Sequence, residues 1–132
     1  MKRSSFAVRT SRRIETVDIT REIEERLPED GDGICLVWSP HTTTAIAVNE
    51  GADPDVKADI EATLAKLFPH AGPYRHAEGN SDAHLKSVLI GPSETIPFEG
   101  GRLRLGRWQA VFLCEFDGPR SRTIEVYMIP GA

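Results

Sequence analysis

Apolar residues in this chain occur in short runs, each closed by proline or glycine, and one stretch alone shows the clear spacing of an amphipathic helix. That pattern restricts the fold to a domain with more strand than helix and mostly short connections, for which an antiparallel α+β arrangement is the natural solution. Ile34 to Ser39 is nearly all apolar and reads as a buried central strand. Thr43 to Val48 is rich in β-branched residues and is expected to pair with it. Trp108 to Phe116 and Thr123 to Ile129 read as long strands, joined by Asp117-Gly118-Pro119-Arg120-Ser121. Ser5 to Arg9 and Arg13 to Ile19 alternate apolar and polar residues, as half-buried strands do. Glu94 to Phe98 reads as a short strand, and Phe98-Glu99-Gly100-Gly101-Arg102 as a hairpin turn.

The clear helix follows Asp53, which is placed to cap it, with Pro54 at the first helical position and Asp55 at the positive end of the dipole. Val56, Ile60, Leu64 and Leu67 then form one apolar stripe, and Pro69 ends it. Thr20 is the expected N-cap of a shorter helix through Leu27, stopped by Pro28 and the turn to Gly33. His84 to Ile90 fits a helix or a strand equally well. Between these, Gly72 to Asp82 is polar and turn-rich, the kind of loop that carries function in a small domain.

At 132 residues the chain is one domain, long enough to bury about two thirds of its unfolded surface. No apolar run approaches the ~20 residues of a membrane helix. The basic N-terminus has no apolar segment behind it, so the expectation is a cytoplasmic protein without a secretory signal. A net charge of −4 argues against a nucleic-acid binder. Cys35 and Cys114 each lie inside an apolar run without a CxxC neighbour, and read as reduced, buried thiols. Arg102, Arg104, Arg107, Arg120 and Arg122 crowd the C-terminal third. They read either as solvated strand residues or as a cluster facing a phosphate or carboxylate.

Three stretches hold residues suited to chemistry. His41 stands between two predicted strands, and Asn49 and Glu50 end the second of them. They share a site with His41 only if strand curvature or a neighbouring subunit brings them together. His76, Glu78, Asn80, Asp82 and His84 fall close together, in a loop that is either simply solvated or part of a Zn²⁺ or Mn²⁺ site with His41 as third ligand. Gly100 to Gln109 combines two glycines and arginines, a composition that could admit a phosphate close to the backbone. Trp108 is either a stacking platform or a core residue. No serine or cysteine has the neighbours of a nucleophile, and His70, at a helix end, reads as structural.

Together these stretches resemble the YjbQ family, also called UPF0047. The similarity is carried by Ser39-Pro40-His41-Thr42-Thr43-Thr44-Ala45-Ile46-Ala47-Val48-Asn49-Glu50 with Ala52-Asp53-Pro54-Asp55-Val56. It continues in Pro73-Tyr74-Arg75-His76 with Ala83-His84-Leu85-Lys86-Ser87. It closes with Gly101-Arg102-Leu103, Gly106-Arg107-Trp108-Gln109, Glu115 and Arg122. The resemblance implies a compact α+β sandwich over residues 1–132, mainly antiparallel with two to three helices, assembling as a homotrimer. It implies a polar pocket with His41, His76, His84, Asn49, Glu50 and Glu115 as catalytic residues, the three histidines also serving as ligands of a divalent metal (Zn, Mn or Mg). The loop between His76 and His84 is shorter and less acidic than in the family, which weighs against ligand roles for Glu78, Asn80 and Asp82.

The activity linked to the family is a secondary thiamine-phosphate synthase reaction, which joins a pyrimidine-methyl diphosphate to a thiazole phosphate and releases pyrophosphate. Arg102, Arg107 and Arg122 would then hold the phosphorylated ligand, with Trp108 and Gln109 beside its ring. The alternatives are a metal-dependent hydrolase of a small phosphorylated metabolite and a metabolite-binding trimer without catalysis.

Overall fold

Along the last strand, β8 (Ser121–Pro130), Arg122, Ile124, Val126 and Met128 are buried and their neighbours are not, the period of a strand with one face on a core. The computed structural model describes residues 1–132. Before β8 run β1 (Lys2–Arg9), β2 (Glu15–Asp18), α1 (Thr20–Glu24), β3 (Asp32–Trp38), β4 (Thr44–Glu50), α2 (Pro54–Leu67), α3 (Ser81–Ile90), β5 (Ser93–Glu99), β6 (Arg102–Leu103) and β7 (Gln109–Glu115). Two antiparallel sheets result, one ordered β1-β8-β3-β5-β6 and one ordered β2-β7-β4. No helix is long and apolar enough to cross a membrane.

The larger core lies between the sheets and includes Phe6, Val8, Cys35, Val37, Ile96, Ile124 and Val126 from one, with Ile46, Val111 and Leu113 from the other. The smaller core holds Ala45, Ala110, Phe112, Cys114 and Phe116 together with Leu64 of α2 and Ala83 of α3. β7 is therefore buried on both faces, which is why its sequence is apolar throughout rather than alternating. Both cysteines are free and buried; burial pushes the Cys35 thiol up to about 11 and the Cys114 thiol up to about 12.

β4 does not pair with β3, contrary to expectation. β3 is flanked on its two sides by β5 and β8, and β4 pairs with β7 in the other sheet, Thr44 facing Glu115 and Glu50 facing Gln109. The intervening residues cross between sheets instead of turning back. Pro40 has no N–H to continue a ladder, and the Ser39 and Thr44 hydroxyls bond each other across the crossing. Thr20 begins α1 but does not cap it; its hydroxyl accepts from the Val111 N–H at 2.9 Å, tying the helix to β7.

α2 forms as read, with the Asp53 carboxylate accepting from the Asp55 N–H at 2.9 Å. Its stripe is only partly used: Leu64 is buried, but Leu67 is exposed, and Val56, Ile60, Leu64 and Ile90 line an open groove. α3 resolves the helix-or-strand ambiguity of residues 84–90. It buries Asp82, Ala83, Lys86 and Ser87 and exposes Leu85, Val88 and Leu89, an inverted amphipathicity that hides the helical period. The hairpin reading holds at Gly100 and Gly101, whose φ values of 59° and 78° suit the tight turn between β5 and β6.

Candidate functional site

Three connections cross between the sheets at one end of the sandwich, residues 10–14, 39–43 and 116–120, and they are stitched together. The Thr10 N–H donates to the Arg120 carbonyl at 3.0 Å, Gly118 to Arg13 at 3.0 Å and Phe116 to Thr43 at 3.2 Å. Arg122 occupies the inward-facing column of β8, so its guanidinium points between the sheets and requires a charged partner there. Glu115, at the end of β7, supplies it. Arg122 Nε donates to Glu115 Oε1 at 2.9 Å, and Nη2 donates both to Glu115 Oε2 and to the Thr43 hydroxyl, the latter at 2.9 Å. Glu115 also accepts from the Thr10 hydroxyl at 2.8 Å and the Asp117 N–H at 3.1 Å. Both charged residues are almost wholly buried.

Above this pair opens a cleft of about 390 Å³ whose wall, Pro40 apart, is polar and includes the Glu78 carboxylate. His41, Thr42, Thr43, His84, Arg120 and Arg122 supply most of its donors. Neither the Thr42 nor the Thr43 N–H has an acceptor within the chain. Asp117 organises the far wall. It accepts from Arg120 Nη2 at 3.0 Å and from Asn80 Nδ2 at 2.9 Å, while Asn80 Oδ1 is buried without a partner.

His41 is held in one state. Its Nε2 accepts from the Thr123 N–H at 2.9 Å, and since an amide only donates, the bonded ring is neutral with its proton on Nδ1. Burial and then the nearby Arg122 charge push the ring below the ordinary histidine range, with Glu115 opposing. His41 is therefore a donor through Nδ1. His84 comes to the cleft from α3, whose first turn is anchored by an ionic triad around the buried Asp82 carboxylate. Lys86 Nζ donates to Asp82 Oδ2 at 2.7 Å and Arg13 Nη2 donates to Asp82 Oδ1 at 2.9 Å. Burial would raise the Asp82 carboxyl, but Arg13 and Lys86 outweigh it and hold it below its usual range.

The residues singled out from sequence separate into groups. His41, His84, Glu115 and Arg122 meet at the cleft. His76 stands beside it, its ring 5.4 Å from that of His84 in a T-shaped arrangement and its Nε2 3.6 Å from Glu78. The three histidines do not fit a shared metal within one chain. His41 Nε2 is already an acceptor, and no three His, Cys, Asp or Glu side chains gather as a ligand group.

Asn49, Glu50, Arg107, Trp108 and Gln109 lie at the opposite end of the β4–β7 pair, separated from Thr44 and Glu115 by the length of a seven-residue strand, ~20 Å. There they build turns: Glu50 accepts from the Ala52 N–H and Gln109 from the Gly106 N–H, both at 2.8 Å. Trp108 is not a core residue but more than half exposed, with Arg107 over its ring. Arg102 sits by the β5–β6 hairpin, 3.8 Å from Glu24. Asp117, Thr10 and Arg13 belong to the site or its support without any motif to mark them.

The family profile described as UPF0047 protein YjbQ-like matches residues 4–131. The chain belongs to the YjbQ family. It is 46% identical over 128 residues to the UPF0047 protein YugU of Bacillus subtilis, covering 95% of this chain and 97% of the relative. A UPF0047 protein of Methanocaldococcus jannaschii is 47% identical over 126 residues, covering 94% and 91%. Among solved structures, an uncharacterised YjbQ-family protein of Clostridium acetobutylicum is 44% identical with a TM-score of 0.92, covering 96% of this chain and 99% of that one. A conserved hypothetical protein of Thermus thermophilus is 47% identical with a TM-score of 0.91, at the same coverage. The YjbQ relatives share this α+β fold and are themselves of uncharacterised function.

Proposed function

We propose that the cleft beside His41 binds the phosphate or diphosphate of a small metabolite, and that the protein acts on that metabolite as an enzyme. One observation carries this reading: one polar wall brings His41, Thr42, Thr43, His84, Arg120 and Arg122 together, with the Asp117 carboxylate paired to Arg120 and Glu78 the other acidic residue beside them. Donors fixed before the ligand arrives stabilise an anion without reorganising. Glu115, with all its bonds made, orients Arg122, and His84 is the side chain free to move a proton.

The thiamine-phosphate synthase reaction is the chemistry we assign to the cleft. A pyrimidine-methyl carbon exchanges its bond to the diphosphate oxygen for a bond to the thiazole nitrogen, and pyrophosphate leaves with the electron pair. The donors around His41 meet the charge that develops on the departing oxygen. The hydrolase alternative would use the same histidines to activate water and would release inorganic phosphate from a small phosphorylated metabolite. A homotrimer is the assembly we favour, supported by the exposed apolar face of Leu85, Val88 and Leu89 on α3.

The test is titration with inorganic pyrophosphate, together with pyrophosphate release from the two synthase substrates. The expected outcome is saturable pyrophosphate binding that weakens at least about tenfold in His41→Ala and in Arg120→Ala. Turnover should be lost in His84→Ala with binding retained. Absence of pyrophosphate binding in the wild type would refute the cleft assignment, and binding without product would leave a metabolite-binding protein.

A further inference from the structure

The cleft beside His41 holds unengaged acceptors as well as donors. Asp117 commits one oxygen, Oδ2, to Arg120 and Asn80, and its Oδ1 bonds nothing in the chain. Glu78, also in the wall, makes no hydrogen bond; its Oε2 lies 3.6 Å from His76 Nε2 and its side chain is 76% exposed. Among the donors, Arg120 uses Nε and Nη2 on Asp117 and keeps Nη1 free. The Thr43 hydroxyl accepts from Arg122, which leaves its own proton to donate. At about 390 Å³ the cleft stands near the lower end of ligand pockets, roughly 300–1,000 Å³, and suits a small molecule.

Resting on the phosphate reading above but not on the synthase chemistry, we propose that the cleft is built for a phosphorylated polyol, a short carbon chain bearing hydroxyls beside its phosphate ester. The phosphate takes the donors of His41, Thr43, Arg120 and Arg122, and the hydroxyls donate to Asp117 Oδ1 and Glu78. The balance of donors and acceptors decides the class. A phosphate alone leaves two carboxylates facing an anion with nothing to donate to them. An alkyl or aromatic group removes water from those carboxylates and from the Arg120 N–H without replacing its hydrogen bonds. An ammonium offers three donors and no acceptor, so it meets the carboxylates but opposes the Arg120 guanidinium. A hydroxyl both donates and accepts, and so suits a wall that presents groups of both kinds. Glu78 and Asp117 are thus specificity residues, distinct from the groups that hold the phosphate.

The experiment measures calorimetric binding of glycerol 1-phosphate and n-propyl phosphate, which share a carbon skeleton and differ only in hydroxyls, with a chelator present throughout. Aminopropyl phosphate supplies the ammonium for comparison. The wild type is expected to bind the glycerol ester at least about tenfold more tightly than either of the others, because a site that hydrogen-bonds hydroxyls rejects analogues lacking them. In Glu78→Ala, an exposed position where the fold is not at risk, that ratio should fall below about threefold. Glu78→Gln, which keeps an acceptor oxygen, should retain most of the preference. Equal binding of the glycerol and propyl esters by the wild type overturns the polyol class and leaves the phosphate reading standing, as does tighter binding of the amino ester. Failure of all three to bind overturns both readings, and a preference undiminished in Glu78→Ala overturns the placement of the hydroxyls.

Discussion

Replacing Arg122 by Met strips Glu115 of two of the four hydrogen bonds it accepts while leaving its carboxylate fully buried. Removing one partner of a buried ion pair costs about 3–5 kcal/mol, because the remaining charge keeps its desolvation penalty. An unfolding entropy of about 2.1 cal/mol/K per residue over the 132-residue chain gives roughly 280 cal/mol/K, or about 3.6 °C per kcal/mol. The expected fall in Tm is therefore about 11–18 °C. Glu115→Leu should fall by a similar amount for the mirror reason. The double variant, with both charges gone, should be less destabilised than either single variant, leaving mainly the Asp117 N–H and the Thr43 hydroxyl short of a partner. Thermal and urea unfolding followed by circular dichroism, at one protein concentration, reads all three. A single substitution costing less than about 1 kcal/mol, or a double variant equal to the sum of the singles, would show that the pair does not hold the end of the sandwich together.

Asp82→Asn leaves Lys86 buried without its counter-charge and should cost about 3–5 kcal/mol at neutral pH. Because the Asp82 carboxyl is held below 3.8, its stabilisation is complete above that value and is lost as pH falls through the lower folded value, so the variant's acid limb should be flatter in a pH series of urea melts. His41 is depressed below 6.5, so the folded state resists protonation, and stability should decline as pH drops from 6.5 toward its lower folded value. His41→Ala removes that slope, read in the same series. Cys35 and Cys114 should remain unmodified by a thiol reagent at pH 8 and react together on unfolding; fast native labelling of either would contradict their burial. Asp53→Ala should lower stability by about 1 kcal/mol, the usual cost of losing an N-cap, measured by urea midpoint.

Local signals along the chain were enough to determine most of its elements. The alternation in β8, the β-branched run of β4, the Asp53-Pro54 start of α2 and the Gly100-Gly101 hairpin each rest on backbone or side-chain preferences that act within a few residues. The family motifs likewise marked His41, His84, Glu115 and Arg122 as residues of consequence, and these do converge. α3 was less legible because its buried face carries Asp82, Lys86 and Ser87. Polar residues become core residues only when partners such as Arg13 arrive from a distant part of the chain.

Tertiary structure alone decided which sheet each strand joined, and with it the membership of the site. The Ser39-Pro40-His41-Thr42-Thr43 segment crosses between sheets because β3 already has two neighbours, a matter of long-range pairing that no local pattern encodes. That crossing brings His41 to Arg122 and sends Asn49, Trp108 and Gln109 to the other end of the sandwich. Arg13, Thr10 and Asp117 have unremarkable local settings, and they join the site because three sheet-crossing connections share one end. Local spacing is set by the chain's own geometry, whereas a site between sheets is set by pairings and burial that form only when the whole domain closes.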